Sequence, residues 1–120
     1  MHSPHNENFK IAVIGLGYVG LPLAVAFDKY FETTGYDING QRINELKVGV
    51  DKTREITKPD LLQSKIIFSN NESDLKSNNI YIITVPTPVN DLKKPDFSFI
   101  EKACKLVGKY IVKGDIVIFE

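Results

Sequence analysis

Three glycines in six residues, Gly15-Leu16-Gly17-Tyr18-Val19-Gly20, stand between a short apolar run and a helical pattern. The run, Phe9 to Ile14, has the length and composition of a buried parallel strand and stops where the glycines begin. Beyond them, from about Tyr18 to Tyr30, Leu23, Phe27 and Tyr30 recur at helical spacing. Pro22 is tolerable there because it falls in the first turn. A G-x-G-x-x-G pattern is a weak signal alone, but between a strand and a helix each glycine has a physical task. Gly15 lets the chain turn tightly off the strand, and Gly17 lets a pyrophosphate approach the backbone with no Cβ in the way. Gly20 lets the helix lie close on the sheet. The free N–H groups and positive dipole end of that helix then favour phosphate.

The second half of such a signature is an acid at the end of the next strand. Thr33 to Asp37 reads as that strand, and Asp37 lies seventeen residues beyond Gly20. Its carboxylate can accept hydrogen bonds from both ribose hydroxyls of an adenosine, and it would repel a 2′-phosphate, so NAD is favoured over NADP. Arg42 complicates this preference, because an arginine just past the strand could accommodate a 2′-phosphate; Asp37 weighs more, and Arg42 is read as lying along the adenine or ribose.

The rest of the chain continues the alternation. Asn39 is placed to cap a helix over about Gly40 to Val48, with Ile43 and Leu46 facing inward. Gly49 to Ser64 is the least legible stretch, with Pro59 opening a helical turn. Lys65 to Phe68 reads as a third strand, Glu72 to Ser77 as a short turn or helix, and Ile80 to Val85 as a β-branched fourth strand halted by Pro86 and Pro88. Asp96 is a candidate cap for a helix to about Tyr110, whose stripe would be Ile100, Ala103, Cys104, Val107 and Ile111. Asp115 to Phe119 reads as a fifth strand. The pattern predicts an α/β, doubly wound parallel sheet of the Rossmann type over residues 9–120, about five strands in the order 3-2-1-4-5, preceded by a loose polar tail over residues 1–8. That fold ordinarily has six strands, so the domain is expected to be incomplete. Ligands of such sheets bind outside the carboxyl ends of the strands. That expectation brings Val85-Pro86-Thr87 and Glu120 to the same crevice as the glycines.

Composition narrows the function. A chain of 120 residues suits one domain, and fifteen basic residues balance fifteen acidic ones, so no global field favours nucleic acid or anionic lipid. The uncharged stretch from Ile11 to Phe27 could pass for a membrane span, but its glycines, Pro22 and short length fit a buried strand and helix better. A single cysteine makes no internal disulfide, and the cytoplasm is the expected compartment. Cys104, on an apolar stripe, is expected to be core packing. His2 and His5 lie in the tail and make no metal site.

Lys10 to Pro22 (KIAVIGLGYVGLP), Gly35-Tyr36-Asp37-Ile38 and Val85-Pro86-Thr87-Pro88 together resemble the UDP-glucose/GDP-mannose dehydrogenase family. Pro86 to Asp91 with Lys94-Pro95-Asp96 is most similar to its branch that oxidises UDP-N-acetylhexosamines for bacterial capsule and O-antigen synthesis. The resemblance implies oxidation of a C6 alcohol to a carboxylate in two steps with two NAD, through an aldehyde and a cysteine thioester. It implies that Gly15, Gly17, Val19 and Gly20 hold the pyrophosphate, that Asp37 and Arg42 lie on the adenosine side, and that Thr87 borders the nicotinamide half. Glu120 matches a glutamate that precedes a Ser-Thr pair in the family. With their neighbours, the expected cofactor-binding set is Gly15, Gly17, Tyr18, Val19, Gly20, Asp37, Ile38, Arg42, Val85, Pro86, Thr87 and Glu120.

The family's catalytic cysteine and sugar-binding domain are expected beyond residue 120. This chain therefore holds no catalytic residue, would be inactive alone, and belongs to a full-length protein expected to be a homodimer. Two other readings share the early motif. One is a regulatory dinucleotide-sensing module, and the other is the cofactor domain of a 3-hydroxyacyl or 6-phosphogluconate type dehydrogenase.

Overall fold

The computed structural model describes residues 9–120, so the tail expected over 1–8 lies outside the described residues. Five strands form one parallel sheet: β1 (Lys10–Ile14), β2 (Glu32–Tyr36), β3 (Ile67–Ser69), β4 (Ile80–Ile83) and β5 (Ile116–Phe119). Their spatial order is β3-β2-β1-β4-β5, as the alternation of elements predicts. Helices α1 (Gly20–Asp28), α2 (Gly40–Lys47), α3 (Lys58–Gln63) and α4 (Ser98–Tyr110), with a short 3-10 turn at Glu72–Leu75, supply the crossovers.

The two-sided burial follows from strand pleat. Ile11, Val13 and Ile82 point to one face, where Leu16, Leu21, Ala24, Ile43 and Leu46 cover them. Ala12, Ile14, Tyr81 and Ile83 point to the other, against Leu75, Ala103 and Val107. Past Lys10 at its start, β1 is thus apolar, as is β4. Edge strand β3 pairs only with Thr34 to Tyr36. It starts at Ile67, two residues later than expected. Strand β4 ends at Ile83, not Val85. Thr84 turns away there, its Oγ1 donating toward the Ile14 and Gly15 carbonyls at 3.1 and 2.6 Å.

Two expectations about helix faces are corrected. On α1 the buried positions are Gly20, Leu21 and Ala24. Leu23 and Phe27 are only partly buried, and Tyr30 lies past the helix, 69% exposed with its ring edge against Phe31. Cys104 is exposed rather than core. The inner arc of α4 is centred on Ala103 and Val107 with Leu106 and Tyr110 beside them, which rotates position 104 about 100° away toward solvent. Ile111, also assigned to that stripe, is the exposed residue that ends the helix. Asp96 does not occupy the cap position of α4, which is Phe97 without a side-chain capping bond, but its Oδ1 accepts from Ser98 N at 2.9 Å from one residue earlier. Asn39 caps α2 as expected, accepting from Arg42 N.

The closest approach in the fold is that of α1 to the ends of β1 and β4. A Cβ built on Gly20 would overlap the Gly15 carbonyl oxygen and stand 2.5 Å from Thr84 Oγ1, whereas one on Gly108, exposed on α4, meets nothing within 4 Å. Gly20→Ala is therefore expected to destabilise the chain by at least about 1–3 kcal/mol, as overpacking against backbone does. Gly108→Ala should stabilise it by roughly 0.5–1 kcal/mol through helix propensity. Urea unfolding of both variants measures the contrast, and equal effects would contradict the packing described.

Candidate dinucleotide cleft

The carboxyl ends of β1, β2 and β4 open into a cleft of about 1000 Å³. The glycine-rich loop forms its floor. Gly15 takes φ +101° to leave β1, a value an L side chain rarely adopts, and its N–H donates to Tyr36 O at 2.8 Å. Gly17 is different, since its φ is ordinary and a Cβ there would meet no atom within 4 Å. The protein itself does not require a glycine at that position; something approaching from the cleft would. Among the described residues, no protein acceptor takes the N–H groups of Gly17, Tyr18 or Val19, and all three residues line the cleft.

Asp37 follows the last residue of β2, and its N–H is held by Ser69 O of β3 at 3.2 Å. Its Oδ2 accepts from Leu16 N and its Oδ1 from Asn39 N, both at 2.9 Å. Two bonds leave roughly half the carboxylate's acceptor capacity for a ligand. Ile38, 74% exposed, stands beside it, and Ala103 and Leu106 of α4 face the same cleft. At the other end are Thr84, Val85, Pro86 and Glu120, whose N–H extends the ladder to Ile83 O at 3.0 Å. The cleft thus gathers Gly15, Gly17, Tyr18, Val19, Asp37, Ile38, Arg42, Val85, Pro86 and Glu120 of the expected set. Gly20 and Thr87 are outside its lining: Gly20 is buried beneath the loop, and Thr87 is exposed on the strand-four loop.

Arg42 is committed within the protein. Its Nε and Nη2 donate to Leu16 O at 2.9 and 2.6 Å, and its Nη1 to Asp51 Oδ1 at 2.8 Å. Asp51, with a side chain 1% exposed, is the residue that sequence reasoning missed. Oδ1 also accepts from Thr53 N and Thr53 Oγ1, and Oδ2 from Glu55 N and Ile56 N. The only signal was an acid opening an otherwise illegible loop. Burial pushes its carboxyl up, but hydrogen bonds from Thr53, Arg42 and Ile56 outweigh that and hold it well below the usual carboxylate range. Elsewhere on the rim, Glu72 bonds Lys109 Nζ and Tyr110 Oη at 3.0 and 3.1 Å. No group of histidine, cysteine and acidic residues able to hold a metal occurs among the described residues. No helix among them is long and apolar enough to cross a membrane.

Because Asp51 binds its proton more weakly folded than unfolded, it contributes stability above about pH 4, the unfolded value, and loses it as pH falls toward the folded value. Asp51→Asn should cost roughly 3–5 kcal/mol near neutrality, the range for breaking a buried ion pair. The gap between wild type and variant should shrink at pH 3. Urea midpoints at the two pH values test this, and an equal gap at both would contradict it.

The matches among known proteins agree with this geometry. The profile of the UDP-glucose/GDP-mannose dehydrogenase family, NAD binding domain, matches residues 9–120. UDP-N-acetyl-D-glucosamine 6-dehydrogenase of Pseudomonas aeruginosa is 48% identical over 115 residues, 95% of this chain and 27% of that protein. Protein CapL of Staphylococcus aureus is 46% identical over 94% of this chain and 27% of its own length. The solved UDP-D-ManNAc dehydrogenase of Pyrococcus horikoshii superposes with a TM-score of 0.85 at 36% identity, over 93% of this chain and 28% of that one. The chain therefore spans about a quarter of the relatives it matches. The fold and its cleft are thus shared with these proteins, and this chain belongs to the UDP-glucose/GDP-mannose dehydrogenase family as its NAD-binding domain.

Proposed function

We propose that this domain serves a nucleotide-sugar 6-dehydrogenase that oxidises the C6 alcohol of a UDP-N-acetylhexosamine to a uronate, in two NAD-dependent steps, for bacterial surface polysaccharide such as capsule or O-antigen. The observation that carries the reading is Gly17, a glycine that neither strain nor crowding within the protein accounts for, the first of three successive amides without protein acceptors among the described residues. In this reading Gly15, Gly17, Tyr18 and Val19 present backbone to the pyrophosphate, with Gly20 keeping the helix start close beneath it. Asp37 takes the adenosine ribose hydroxyls on its remaining lone pairs and repels a 2′-phosphate, while Ile38 and Leu106 flank the adenine. Arg42 acts from behind the loop, through Leu16. Val85, Pro86, Thr87 and Glu120 border the nicotinamide end. NAD, when bound, supplies the hydride acceptor. The groups that bind sugar and form the thioester belong to the part of the relatives this chain does not match.

The sugar assignment is supported by relatives whose names specify UDP-N-acetyl sugars, the Pseudomonas aeruginosa and Pyrococcus horikoshii proteins among them. The reading extends to a cytoplasmic homodimer with no nucleic-acid or membrane partner, in keeping with balanced charge and a single cysteine.

Gly17→Ala should leave stability within about 1 kcal/mol of wild type, since its Cβ meets nothing. It should weaken NAD binding about tenfold or more, the effect of losing one hydrogen bond to a charged group. Calorimetric titration reads this, and undiminished NAD affinity would remove the pyrophosphate assignment. In a protein of the relatives' full length carrying this domain, UDP-N-acetylhexosamines should yield two NADH per sugar. Turnover of UDP-glucose or GDP-mannose in preference would overturn the sugar assignment.

A further inference from the structure

Asp51 lies outside the cleft lining, yet its carboxylate decides what Arg42 can do there. A guanidinium has five N–H donors in a fixed fork. Three bonds engage Nε, Nη1 and Nη2, and they pull the fork toward Leu16 O and Asp51 Oδ1. The side chain is left 11% exposed, with one N–H on each terminal nitrogen uncommitted. A free arginine just past β2 would be a ready receptor for a phosphate on the adenosine ribose, because its fork matches phosphate oxygens two at a time. Here the fork is turned onto a peptide carbonyl, and its charge is neutralised by a buried carboxylate that four other donors hold in place.

The same geometry aims the loop. In a trans peptide the Leu16 carbonyl and the Gly17 N–H lie in one plane and point in opposite directions. With Arg42 holding the carbonyl, the Gly17 N–H is fixed pointing away from the guanidinium, and Asp37 holds the Leu16 N–H from the peptide before. We propose that Asp51 is a positioning and specificity-determining residue for the dinucleotide. By fixing Arg42 on Leu16 O, it orients the pyrophosphate amides and turns the fork of the arginine that follows the strand-end acid away from a 2′-phosphate. This rests on the cleft being the NAD site. It adds to the like-charge repulsion by Asp37 a second, independent cause of preference for NAD over NADP.

The test is the ratio of NADP to NAD dissociation constants, measured by calorimetry on the chain and on Asp51→Asn, which keeps the shape but removes the charge. The expected result is a ratio about tenfold smaller in Asp51→Asn, mainly through tighter NADP binding, as a charge-assisted bond to a phosphate oxygen is gained. Asp51→Asn/Arg42→Ala should restore the wild-type ratio. A purely structural Asp51 would weaken both ligands in parallel and leave the ratio unchanged, and that result overturns the proposal, as does a small ratio persisting in the double variant. If Asp51→Asn does not fold, Arg42→Ala alone decides. Withheld by Asp51, Arg42 should affect NAD and NADP equally when removed, and a selective loss of NADP binding would overturn the proposal. A folded wild-type chain that binds neither dinucleotide would overturn the NAD site as well, whereas NAD binding with an unchanged ratio overturns only the role of Asp51.

Discussion

The two peptides that flank Leu16 are each held by a side chain, Asp37 on the Leu16 N–H and Arg42 on the Leu16 carbonyl, and the geometry of the cleft depends on that grip. The two side chains come from the end of β2 and the first turn of α2, so sheet register and helix capping both feed into the position of one loop. Asn39 ties them further, since its N–H bonds Asp37 while its side chain accepts from Arg42 N. A loop of this kind would otherwise be soft, because glycines lose the most conformational freedom on ordering. Charge-assisted hydrogen bonds at partly buried positions offset that cost and hold the loop around Leu16 in one geometry.

The sheet makes the arrangement possible. All five strands are parallel, so their carboxyl ends lie on one side, and chain reversal between β1 and β4 opens a gap that no crossover helix fills. Thr84 closes the bottom of the gap by bonding the carbonyl of Ile14, the last residue of β1, and that of Gly15 just beyond it. Gly20 lets α1 settle directly on that junction. The result is a helix start with no side chain between it and the cleft floor.

Much of this is legible in the sequence. Apolar β-branched runs mark β1 and β4 because both faces of those strands are covered, and the glycine spacing marks the loop because each position answers a separate steric demand. Asp37 is found by its distance from the loop. The features that escape are those created by contacts far apart in the chain or by helix rotation. Cys104 looks apolar-faced only if the stripe begins at Ile100, and tertiary packing centres it on Ala103 and Val107 instead. The role of Asp51 depends on a fold-back of residues 51–56 around its own carboxylate, which has no hydrophobic period to reveal it. Arg42 was visible as a cation near the adenosine side, but its commitment to Leu16 O could not be read from spacing. β5 was recognised by composition, yet Ile116, Ile118 and Phe119 are exposed among the described residues.

In the proposed function, the backbone of the glycine-rich loop, with Asp37 beside it, receives the dinucleotide. Amide NMR of the folded, nitrogen-15-labelled chain titrated with NAD tests it most directly. Saturable shifts concentrated at Gly17, Tyr18, Val19 and Ile38, with α3 and the outer edge of β3 unmoved, are the predicted result. A folded chain in which saturating NAD leaves those four amides unperturbed would contradict the account.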